Sequence, residues 1–568
     1  MNQKNKKNNK IEEYWNGITN SRTAKDLEFN KLKKIIKSFA SSELGKKHID
    51  QLKPKKNRDS VEKELEQVEE FIHLLRKRDP LKLGEMHEIQ PFIQQAKEHP
   101  PLNPEELLNI SKTLKTAREV KKYVIELEEE TPRTQRLIAE IAECKTLIQE
   151  TTDKIDRRGR IRDNATEKLR KLIKNKAEKE KQVKEKLNGF LDSNPSLIQE
   201  RIIARRSNRL VIPLKSSARS RANCVVHESS NSGQTLFAEP KSVVELNNHI
   251  RDISSEIRQE KNKILRALTE LVKENEGKLL HTQKILQEID SLAGRAKYSI
   301  DLSCSIPKLA EDKIIDLIEA RHPLLDQEEV VPVTIGFGNL NRGATITGPN
   351  TGGKTVTLKT IGLFSLMTQS GIPIPASQDS RIGIFEGIYS DIGDEQSIEQ
   401  SLSTFSSHME NIVDILKKID ENSLILLDEL GAGTDPQEGA ALGLSLLEYI
   451  LRTGAAVVIT THFTALKKVS VNHPNLATFS VDFDPEKLEP TFHILEGVPG
   501  KSNALIVASK LGLSENIIEE AKGFLEESEI KAEDIIDELA KEKRQVQKQL
   551  KELKEEKEEL EQTKREYE

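Results

Sequence analysis

The sequence predicts an α+β chain of several domains, mostly helical in its first half and α/β in its second half. A charged fraction of 32% with only 4% aromatic residues in 568 residues is typical of extended helices rather than of one compact globule. No proline interrupts residues 133–194 or 241–306. Short apolar runs separated by Ser, Asn and Gly clusters lie between these two stretches, and β-branched strands followed by glycine-rich or acidic turns mark the second half.

Six segments follow from these patterns. The spacing of Leu246, Ile250, Ile253 and Ile257 is heptad-like and indicates a helix that returns after the β-rich segment. A helix over most of that proline-free interval would be roughly 80 Å long at about 1.5 Å per residue. The predicted segments are a helical core at 1–130, an arm helix at 131–195, a β-rich tip at 196–247, a returning helix at 248–305, an α/β domain at 306–527 and a coiled coil at 528–568.

Composition excludes several classes of protein. Lys+Arg number 88 against 93 Asp+Glu, a formal net charge of -5, so any basic surface must be local. Cys144, Cys224 and Cys304 are isolated, with no CxxC spacing, which argues against a zinc site or a disulfide framework and favours a reducing cytosol. No stretch approaches the ~20 apolar residues that span a bilayer. We therefore expect a cytoplasmic protein with no membrane partner.

The β-rich tip carries a concentrated positive charge. Between residues 201 and 221 there are seven basic residues and no acidic residue, a pattern that fits contact with a phosphate backbone. The other interpretation is a solvated face on a structural coiled coil. The candidate nucleic-acid residues are Arg201, Arg205, Arg206, Arg209, Lys215, Arg219 and Arg221.

A phosphate-binding pattern opens the α/β domain. The strand Ala344-Thr-Ile-Thr347 leads into Gly348-Pro-Asn-Thr-Gly-Gly-Lys-Thr355, which satisfies GxxxxGK[ST] and precedes a helical pattern. In such a turn, backbone N–H groups and a helix N-terminus bind phosphate oxygens, Lys354 reaches the β- and γ-phosphates, and Thr355 ligates Mg²⁺. The residues expected to bind ATP here are Gly348, Pro349, Asn350, Thr351, Gly352, Gly353, Lys354, Thr355 and Val356.

Two further strands end in polar residues that complete this chemistry. The apolar run 424–427 ends in Asp428 and Glu429, so we expect Asp428 to hold Mg²⁺ through its water shell and Glu429 to act as the general base on water. The run 455–459 leads to Thr460-Thr-His462, which places His462 at the carboxyl end of a strand as a γ-phosphate sensor. Lys354, Glu429 and His462 are the predicted catalytic residues.

Together these motifs resemble the ATPase of the MutS family. The resemblance covers about residues 14–525 and implies an ABC-type P-loop ATPase domain, with the arm helices as levers and the β-rich tip as a clamp. Its further motifs are Arg321-His-Pro323, Ser403-Thr-Phe405, Asp428-Glu-Leu-Gly-Ala-Gly-Thr-Asp435, Phe492-His493 and Gly500-Lys-Ser-Asn503.

Within that family, the chain resembles the second bacterial branch. We expect no mismatch-reading domain with a Phe-x-Glu wedge before the helical segment, and Leu27-Glu28-Phe29 and Phe237-Ala-Glu-Pro240 are similar to that branch. Such proteins typically continue into a small MutS-related nuclease domain, and no such domain is expected before Glu568. The resemblance therefore predicts ATPase activity and leaves endonuclease activity doubtful.

The resemblance also implies a homodimer in which each ATP site is completed by the partner subunit. Ser403, Thr404 and either Ser502 or Asn503 would face the other subunit's γ-phosphate, and His493 would pack on the adenine ring. These roles are implied by the resemblance, because spacing alone cannot reveal a dimer.

Three functions are compatible with this sequence. The first is a dimeric DNA clamp on branched or duplex DNA that suppresses recombination, with ATP hydrolysis controlling its opening. The second is an ATPase that recognises collided ribosomes through rRNA and separates their subunits. The third, a chromosome-organising ATPase, is disfavoured because its coiled coil would separate the two phosphate-site motifs by hundreds of residues, whereas Thr355 and Asp428 are 73 residues apart.

Overall fold

The structure is a computed structural model of the 568-residue chain. It describes residues 15, 17–77, 83, 85–125, 131–338, 341–349, 352–393, 401–484, 487, 489–500, 504–523, 542, 545, 546 and 549, apart from the side chains of residues 401–404, 504, 506, 510 and 522. The predicted coiled coil at 528–568 therefore lies almost wholly outside the described residues.

Helices dominate the first half of the described chain, as its composition predicts. The helices are α1 Ser21–Asp26, α2 Phe29–Phe39, α3 Glu43–Asp50, α4 Arg58–Lys77, α5 Gln90–Glu98, α6 Pro104–Ile125, α7 Pro132–Ala139, α8 Lys145–Lys154, α9 Glu167–Ser193, α10 Lys241–Glu274, α11 Glu276–Asp301, α12 Lys354–Gln369, α13 Ser401–Leu416, α14 Pro436–Thr453, α15 Thr464–Asn472, α16 Ala504–Lys510 and α17 Glu515–Gly523.

The strands fall into two groups along the chain, which makes the fold α+β. Those of the tip are β1 Ala204–Arg206, β2 Arg209–Lys215, β3 Cys224–Ser229 and β4 Thr235–Pro240. Those of the second half are β5 Lys308–Ala310, β6 Ile315–Ala320, β7 Val333–Phe337, β8 Gly343–Thr347, β9 Arg381–Gly383, β10 Gly387–Asp391, β11 Ser423–Leu427, β12 Ala456–Thr460, β13 Leu476–Asp484 and β14 Glu489–Glu496.

Contacts divide the chain into two compact units. Unit 1 contains the described residues up to 77, residues 131–134 and those from 288 onward, and unit 2 contains residues 83–125 and 135–287. The predicted helical core at 1–130 is thus divided between the two. Helical periodicity shows that a face must be buried, but it does not show which partner buries it.

The centre of unit 1 is a six-stranded sheet with the order β10-β11-β12-β8-β13-β14. Its first five strands are parallel, and β14 pairs antiparallel with β13. Strands β8, β10, β11 and β12 are buried at every position, as expected of parallel strands covered on both faces. Helix α12 is buried nearly all round and shares one core with these strands. A second sheet in this unit has the order β5-β9-β6-β7.

The N-terminal segment covers the edge strand β10 of that sheet. The backbone N–H of Ile388 donates to the carbonyl of Ile18 at 2.6 Å, and the N–H of Ser390 donates to Thr23 Oγ1 at 3.0 Å. Trp15, Ile18 and Phe29 lie in the same core as strand β8. An exposed sheet edge offers unpaired backbone groups to other chains, and this segment satisfies those groups.

Unit 2 contains the arm helices and the tip. Helices α9 and α10 pack against each other, and the antiparallel sheet β1-β2-β4-β3 rests on them through one apolar cluster that includes Leu187, Ile212 and Ile250. A second cluster joins α5, α6 and α8 to α10.

Each predicted long helix is shorter than expected. The arm helix α9 begins at Glu167, because the chain first forms α7, α8 and a tight hairpin closed by a bridge between Ile155 and Ile161. The returning helix is interrupted at Asn275, whose Nδ2 donates to the carbonyl of Leu271 at 2.8 Å. A side chain that bonds its own backbone offers an alternative to helix continuation, a feature that proline spacing does not reveal.

None of the described helices combines the length and apolarity needed to span a lipid bilayer.

Candidate functional site

Three of the motif-bearing strands are neighbours in the parallel sheet. Strand β12 lies between β8 and β11, and all three run in the same direction. Their carboxyl ends therefore meet at one edge, where doubly wound sheets place their sites. The glycine loop after β8, the acidic pair after β11 and the histidine after β12 share this edge.

The glycine loop needs its glycines for two separate reasons. Gly348 and Gly353 have φ angles of 127° and 93°, which side chains rarely allow. Gly352 is close to strand β13, where an added Cβ would lie 2.8 Å from Cγ1 of Val481. The loop ends at Gly353, and helix α12 begins at Lys354, so its first N–H groups point toward the loop. Asn350 and Thr351 lie outside the described residues.

Lys354 is held inside the loop. Its side chain is only 1% exposed, and its Nζ donates to the carbonyl of Gly348 at 2.6 Å. Burial lowers the pKa of Lys354, while Glu429 and Asp428 act in the opposite direction. The structure therefore brings together the cation of the first motif and the carboxylates of the second.

Asp428 accepts hydrogen bonds from two threonines. Thr355 Oγ1 donates to Asp428 Oδ2 at 2.8 Å, and Thr460 Oγ1 donates to Asp428 Oδ1 in a short contact. Thr355 and Asp428, predicted from separate motifs to serve one Mg²⁺, are thus in direct contact. Among the described residues, no group of three or more His, Cys, Asp or Glu side chains is placed to bind a metal. A cation here would take oxygen ligands from this Thr–Asp pair, phosphate and water.

Glu429 has an unusual backbone conformation. Its φ is 47°, and its N–H donates to Thr460 Oγ1 at 2.8 Å, so one threonine positions both acidic residues. Left-handed backbone at a residue with a side chain costs free energy and clusters at functional sites. The following turn contains Gly431, where an added Cβ would lie 2.3 Å from the carbonyl oxygen of Gly439.

His462 follows β12 at the same edge. Its side chain is exposed, and its ring lies 4.4 Å from the ring of Phe463, measured between centroids. Its predicted role as a γ-phosphate sensor stays a prediction.

A buried group that the motifs did not identify supports the acidic pair. Asp391, at the end of β10, accepts from Arg22 at 3.2 Å and from Asn411 at 2.9 Å, and its Oδ2 lies 2.7 Å from His408 Nδ1. The hydrogen bond to Asp391 raises the pKa of His408. The backbone N–H of Asp428 donates to the carbonyl of Asp391 at 3.0 Å. The sequence around Asp391, Gly387-Ile-Tyr-Ser-Asp391, carries no motif that would have identified it.

On β14, Phe492 lies nearer the glycine loop than its position beside the predicted adenine contact His493 suggested. His493, predicted to pack on adenine, is exposed, while the neighbouring Phe492 approaches the glycine loop. An added Cβ on Gly353 would lie 3.3 Å from Cδ1 of Phe492. Phe492 has a φ of 59° and is 44% exposed, and Val356 on α12 is also exposed.

The residues predicted to act on the partner subunit's site fall outside the described part of the chain. The side chains of Ser403 and Thr404 and all of Ser502 and Asn503 lie outside the described residues. The preceding segment is described up to Gly500, whose N–H donates to Thr347 Oγ1 at 2.6 Å, so this strand-following turn lies against the start of the glycine loop.

Four of the seven basic residues of the tip form ion pairs with acidic residues. Arg205 pairs with Glu180 of α9 at 2.7 Å, Arg206 pairs with Glu228 of β3 at 3.7 Å, and Arg201 contacts Asp192. All three arginines remain exposed. Three of the seven form no ion pair with any described residue, namely Lys215, Arg219 and Arg221.

Arg209 belongs to the interior of the tip. Its Nη1 donates to Glu239 Oε2 at 2.8 Å, and the two side chains are 13% and 0% exposed. Glu239 also lies 2.7 Å from His227 Nε2 and accepts from Asn247 Nδ2 at 2.7 Å. This group joins β2, β3 and β4 to α10, so Arg209 has a structural role that the charge count could not distinguish from binding.

Comparisons with known proteins agree with this arrangement. The family described as MutS domain V matches residues 344–529. The chain is 41% identical to "Endonuclease MutS2" of Geobacillus sp. (strain WCH70) over 92% of its own length and 67% of that protein. The chain belongs to the MutS2 family.

Other relatives show the same relationship. The proteins named "Endonuclease MutS2" from Clostridium tetani (strain Massachusetts / E88) and Acetivibrio thermocellus are each 40% identical to it, over 92% of this chain and 66% of each relative. The chain spans about two thirds of the length of these relatives. The resemblance inferred from the motifs is therefore confirmed at the level of the family.

Proposed function

We propose that this MutS2-family chain binds and hydrolyses ATP at the edge of the six-stranded sheet. The single observation that supports this most strongly is the convergence of three separate motifs. Lys354 lies near Asp428 and Glu429, and Thr355 and Thr460 both donate to Asp428. A structural turn would not require a buried lysine beside two carboxylates.

The described residues fit a triphosphate. The glycines leave space beside the backbone, helix α12 begins at the loop, and the Lys354 ammonium lies within it. Helix N-termini and buried cations both favour phosphate oxygens. When a nucleotide enters, Lys354 exchanges its bond to the Gly348 carbonyl for phosphate oxygens.

Thr355 and Asp428 would hold Mg²⁺, and the cation would neutralise negative charge on the phosphate oxygens. The hydrogen bond from Thr460 keeps one Asp428 oxygen oriented, and leaves the side facing Thr355 for the cation. Glu429, placed by its left-handed backbone, takes the proton of the attacking water. His462 donates to the γ-phosphate.

Nucleotide affinity tests this proposal. Lys354→Ala is expected to weaken binding of a fluorescent ATP analogue at least tenfold, because one buried charge-assisted contact to phosphate is lost. Lys359→Ala, on the same helix, is the matched control and should bind like the unmodified chain. Equal affinity of Lys354→Ala and the control would remove the basis for the ATP site.

We further propose that two copies form a clamp on branched or duplex DNA and suppress recombination in the cytoplasm, with ATP hydrolysis controlling opening. Support comes from the exposed basic residues of the tip, Lys215, Arg219 and Arg221, and from the relatives, whose printed name describes an endonuclease. Ser403, Thr404 and Ser502 would contribute to the partner's site, and His493 would lie on adenine. Endonuclease activity is not proposed for this chain.

The same tip supports a ribosome-associated ATPase as the second candidate. Exposed basic side chains bind the phosphates of rRNA and of DNA through the same charge interaction. Glu429→Gln protein, which should retain ATP, distinguishes the two. Co-sedimentation with collided ribosomes, without retention on immobilised duplex or branched DNA, would favour the ribosome. Retention on DNA alone would favour the clamp.

A further inference from the structure

A second basic surface lies in unit 2, away from the tip. Residues 154–176 contain ten Lys or Arg against three Asp or Glu, and four arginines occur within the six residues 157–162. We name residues 155–162 the arginine hairpin. Helix α9 follows it directly, and the exposed Lys168, Arg170, Lys171 and Lys174 lie in the first turns of that helix.

The arginine hairpin is held rigidly from within. Asp156 Oδ1 accepts from the backbone N–H groups of Arg158 and Arg160, each at 2.9 Å. Its Oδ2 accepts from the Arg160 side chain at 3.1 Å, so Arg160 helps to lock the turn. Gly159, with a φ of 70°, allows the chain to reverse. Ile155 and Ile161 form a bridge and pack on the apolar cluster beneath.

This framework displays two arginines that have no described partner. Arg157 and Arg158 are exposed, and neither side chain forms a hydrogen bond or ion pair with the described residues. The hairpin packs against the backbone of Glu105, whose Cα lies 3.6 Å from the position of a Cβ on Gly159. Because the backbone of this turn is already fixed, binding through these guanidinium groups orders side chains but costs little further backbone entropy.

The remaining charges on this surface are weakly neutralised. Arg170 and Lys171 share the single carboxylate of Glu167, at 2.9 and 3.8 Å. Lys168 lies 3.8 Å from Glu260, and its side chain stays 66% exposed. Exposed ion pairs of this kind are weak in water, so a phosphate can replace them.

We infer that the arginine hairpin and the first turns of α9 form a second contact surface for a phosphodiester backbone. This inference deepens the proposed nucleic-acid binding and rests on it. Helix α9 separates the hairpin from the tip and is roughly 40 Å long at about 1.5 Å per residue. One turn of duplex DNA is about 34–36 Å, so backbone contacts at both ends of the helix match slightly more than one helical turn.

Neutralising the two unpaired arginines tests the inference in the full chain. Arg157→Gln/Arg158→Gln is expected to raise the Kd for a fluorescent 30-base-pair duplex about tenfold and to make the slope of log K against log salt less negative by about 1–2. Lys115→Gln/Arg118→Gln is the matched control, since both residues are exposed on α6 in the same unit and the charge change is equal. The control should leave the Kd within about twofold, and neither variant should change ATP turnover measured without nucleic acid.

Parallel arms separate the sources of phosphate. A structured rRNA fragment replaces the duplex in one arm. Weaker binding of Arg157→Gln/Arg158→Gln to either nucleic acid supports the surface, and the nucleic acid affected identifies the source of the phosphate. Vesicles containing anionic lipid form a third arm, and loss of vesicle binding with unchanged nucleic-acid affinity would overturn the inference.

Failure of this inference differs from failure of the proposed function. If Arg157→Gln/Arg158→Gln binds both nucleic acids as tightly as the control while neutralising Lys215, Arg219 and Arg221 weakens binding, only the second surface is wrong. If the unmodified chain binds neither duplex nor rRNA, both the surface and the proposed nucleic-acid partner are wrong.

Discussion

The candidate nucleotide site of unit 1 and the basic tip of unit 2 were both predicted from short runs of sequence, and they differ in which residues the fold brings to them. At the sheet edge, residues from separate strands come together, so that Thr355 and Thr460 both reach Asp428. At the tip, a run without acidic residues receives acidic partners from elsewhere, including Glu180 and Glu239.

The difference lies in what each pattern encodes. A strand, a glycine turn and a helix in fixed order specify backbone geometry, and parallel neighbours then align their carboxyl ends. A charge count specifies no geometry, because a salt-bridge partner can come from any element that packs nearby. Order-dependent motifs therefore predict which residues come together, whereas local charge does not.

The largest expected effect concerns the acidic pair. Glu429→Gln should lower ATP hydrolysis about 100- to 10,000-fold with little loss of nucleotide affinity, because a general base contributes that much to the rate. Steady-state turnover and equilibrium ATP binding check this. Glu421→Gln, just before the other end of strand β11, is the control and should turn over normally. Rapid hydrolysis by Glu429→Gln would show that Glu429 is not the general base.

The next effect tests whether Arg209 is structural. Arg209→Gln should lower the free energy of unfolding by about 3 kcal/mol, since it leaves the fully buried Glu239 without its ionic partner. Arg219→Gln, at an exposed position, should change it by at most about 0.5 kcal/mol. Urea denaturation followed in both variants gives the comparison. Equal stability would mean that the tip tolerates the loss and that Arg209 is available for binding.

A smaller effect is expected for the three basic residues of the tip that have no ion-pair partner among the described residues. Lys215→Gln/Arg219→Gln/Arg221→Gln should weaken duplex binding about tenfold and reduce the magnitude of the salt slope by about 2–3, because up to three phosphate contacts are lost. Fluorescence anisotropy at several salt concentrations measures both. Unchanged binding would show that these three residues of the tip do not bind nucleic acid, so that local charge would have predicted no site there.

The smallest effect concerns His408. Its hydrogen bond to Asp391 raises the pKa of His408 above the usual 6.5, in an environment that also contains Arg22 and Asp26. Because the folded pKa exceeds the unfolded one, this link stabilises the fold fully below pH 6.5 and is lost as pH rises through the folded pKa.

His408→Ala should therefore lower the unfolding free energy by about 1 kcal/mol at pH 6 and by less at pH 9. Urea midpoints at the two values measure the difference. His249→Ala, at an exposed position on α10, is the control and should leave the unfolding free energy nearly unchanged. A loss that is equal at both pH values would assign His408 a packing role only.

Much of the candidate site could be predicted because its residues lie at strand ends. Lys354, Thr355, Asp428 and Glu429 each follow a recognisable local pattern, and their proximity follows from parallel strand order. Asp391 and Phe492 could not be predicted in their places, since Asp391 pairs with Arg22 from the distant N-terminal segment and Phe492 approaches Gly353 from an antiparallel edge strand. The extent of the helices was overestimated because Asn275 and the Asp156 turn end them without proline.

The sequence by itself determined the family, the α+β class and the order of the phosphate-site motifs, because these depend on local backbone chemistry and its succession along the chain. Only the tertiary structure decided that residues 17–77 pack in the unit that contains the second-half sheet, that the Arg209 side chain is largely buried, and that Arg157 and Arg158 have no partner among the described residues. Those outcomes depend on which surfaces pack together, because burial and ion pairing are set by tertiary contacts and not by any single segment.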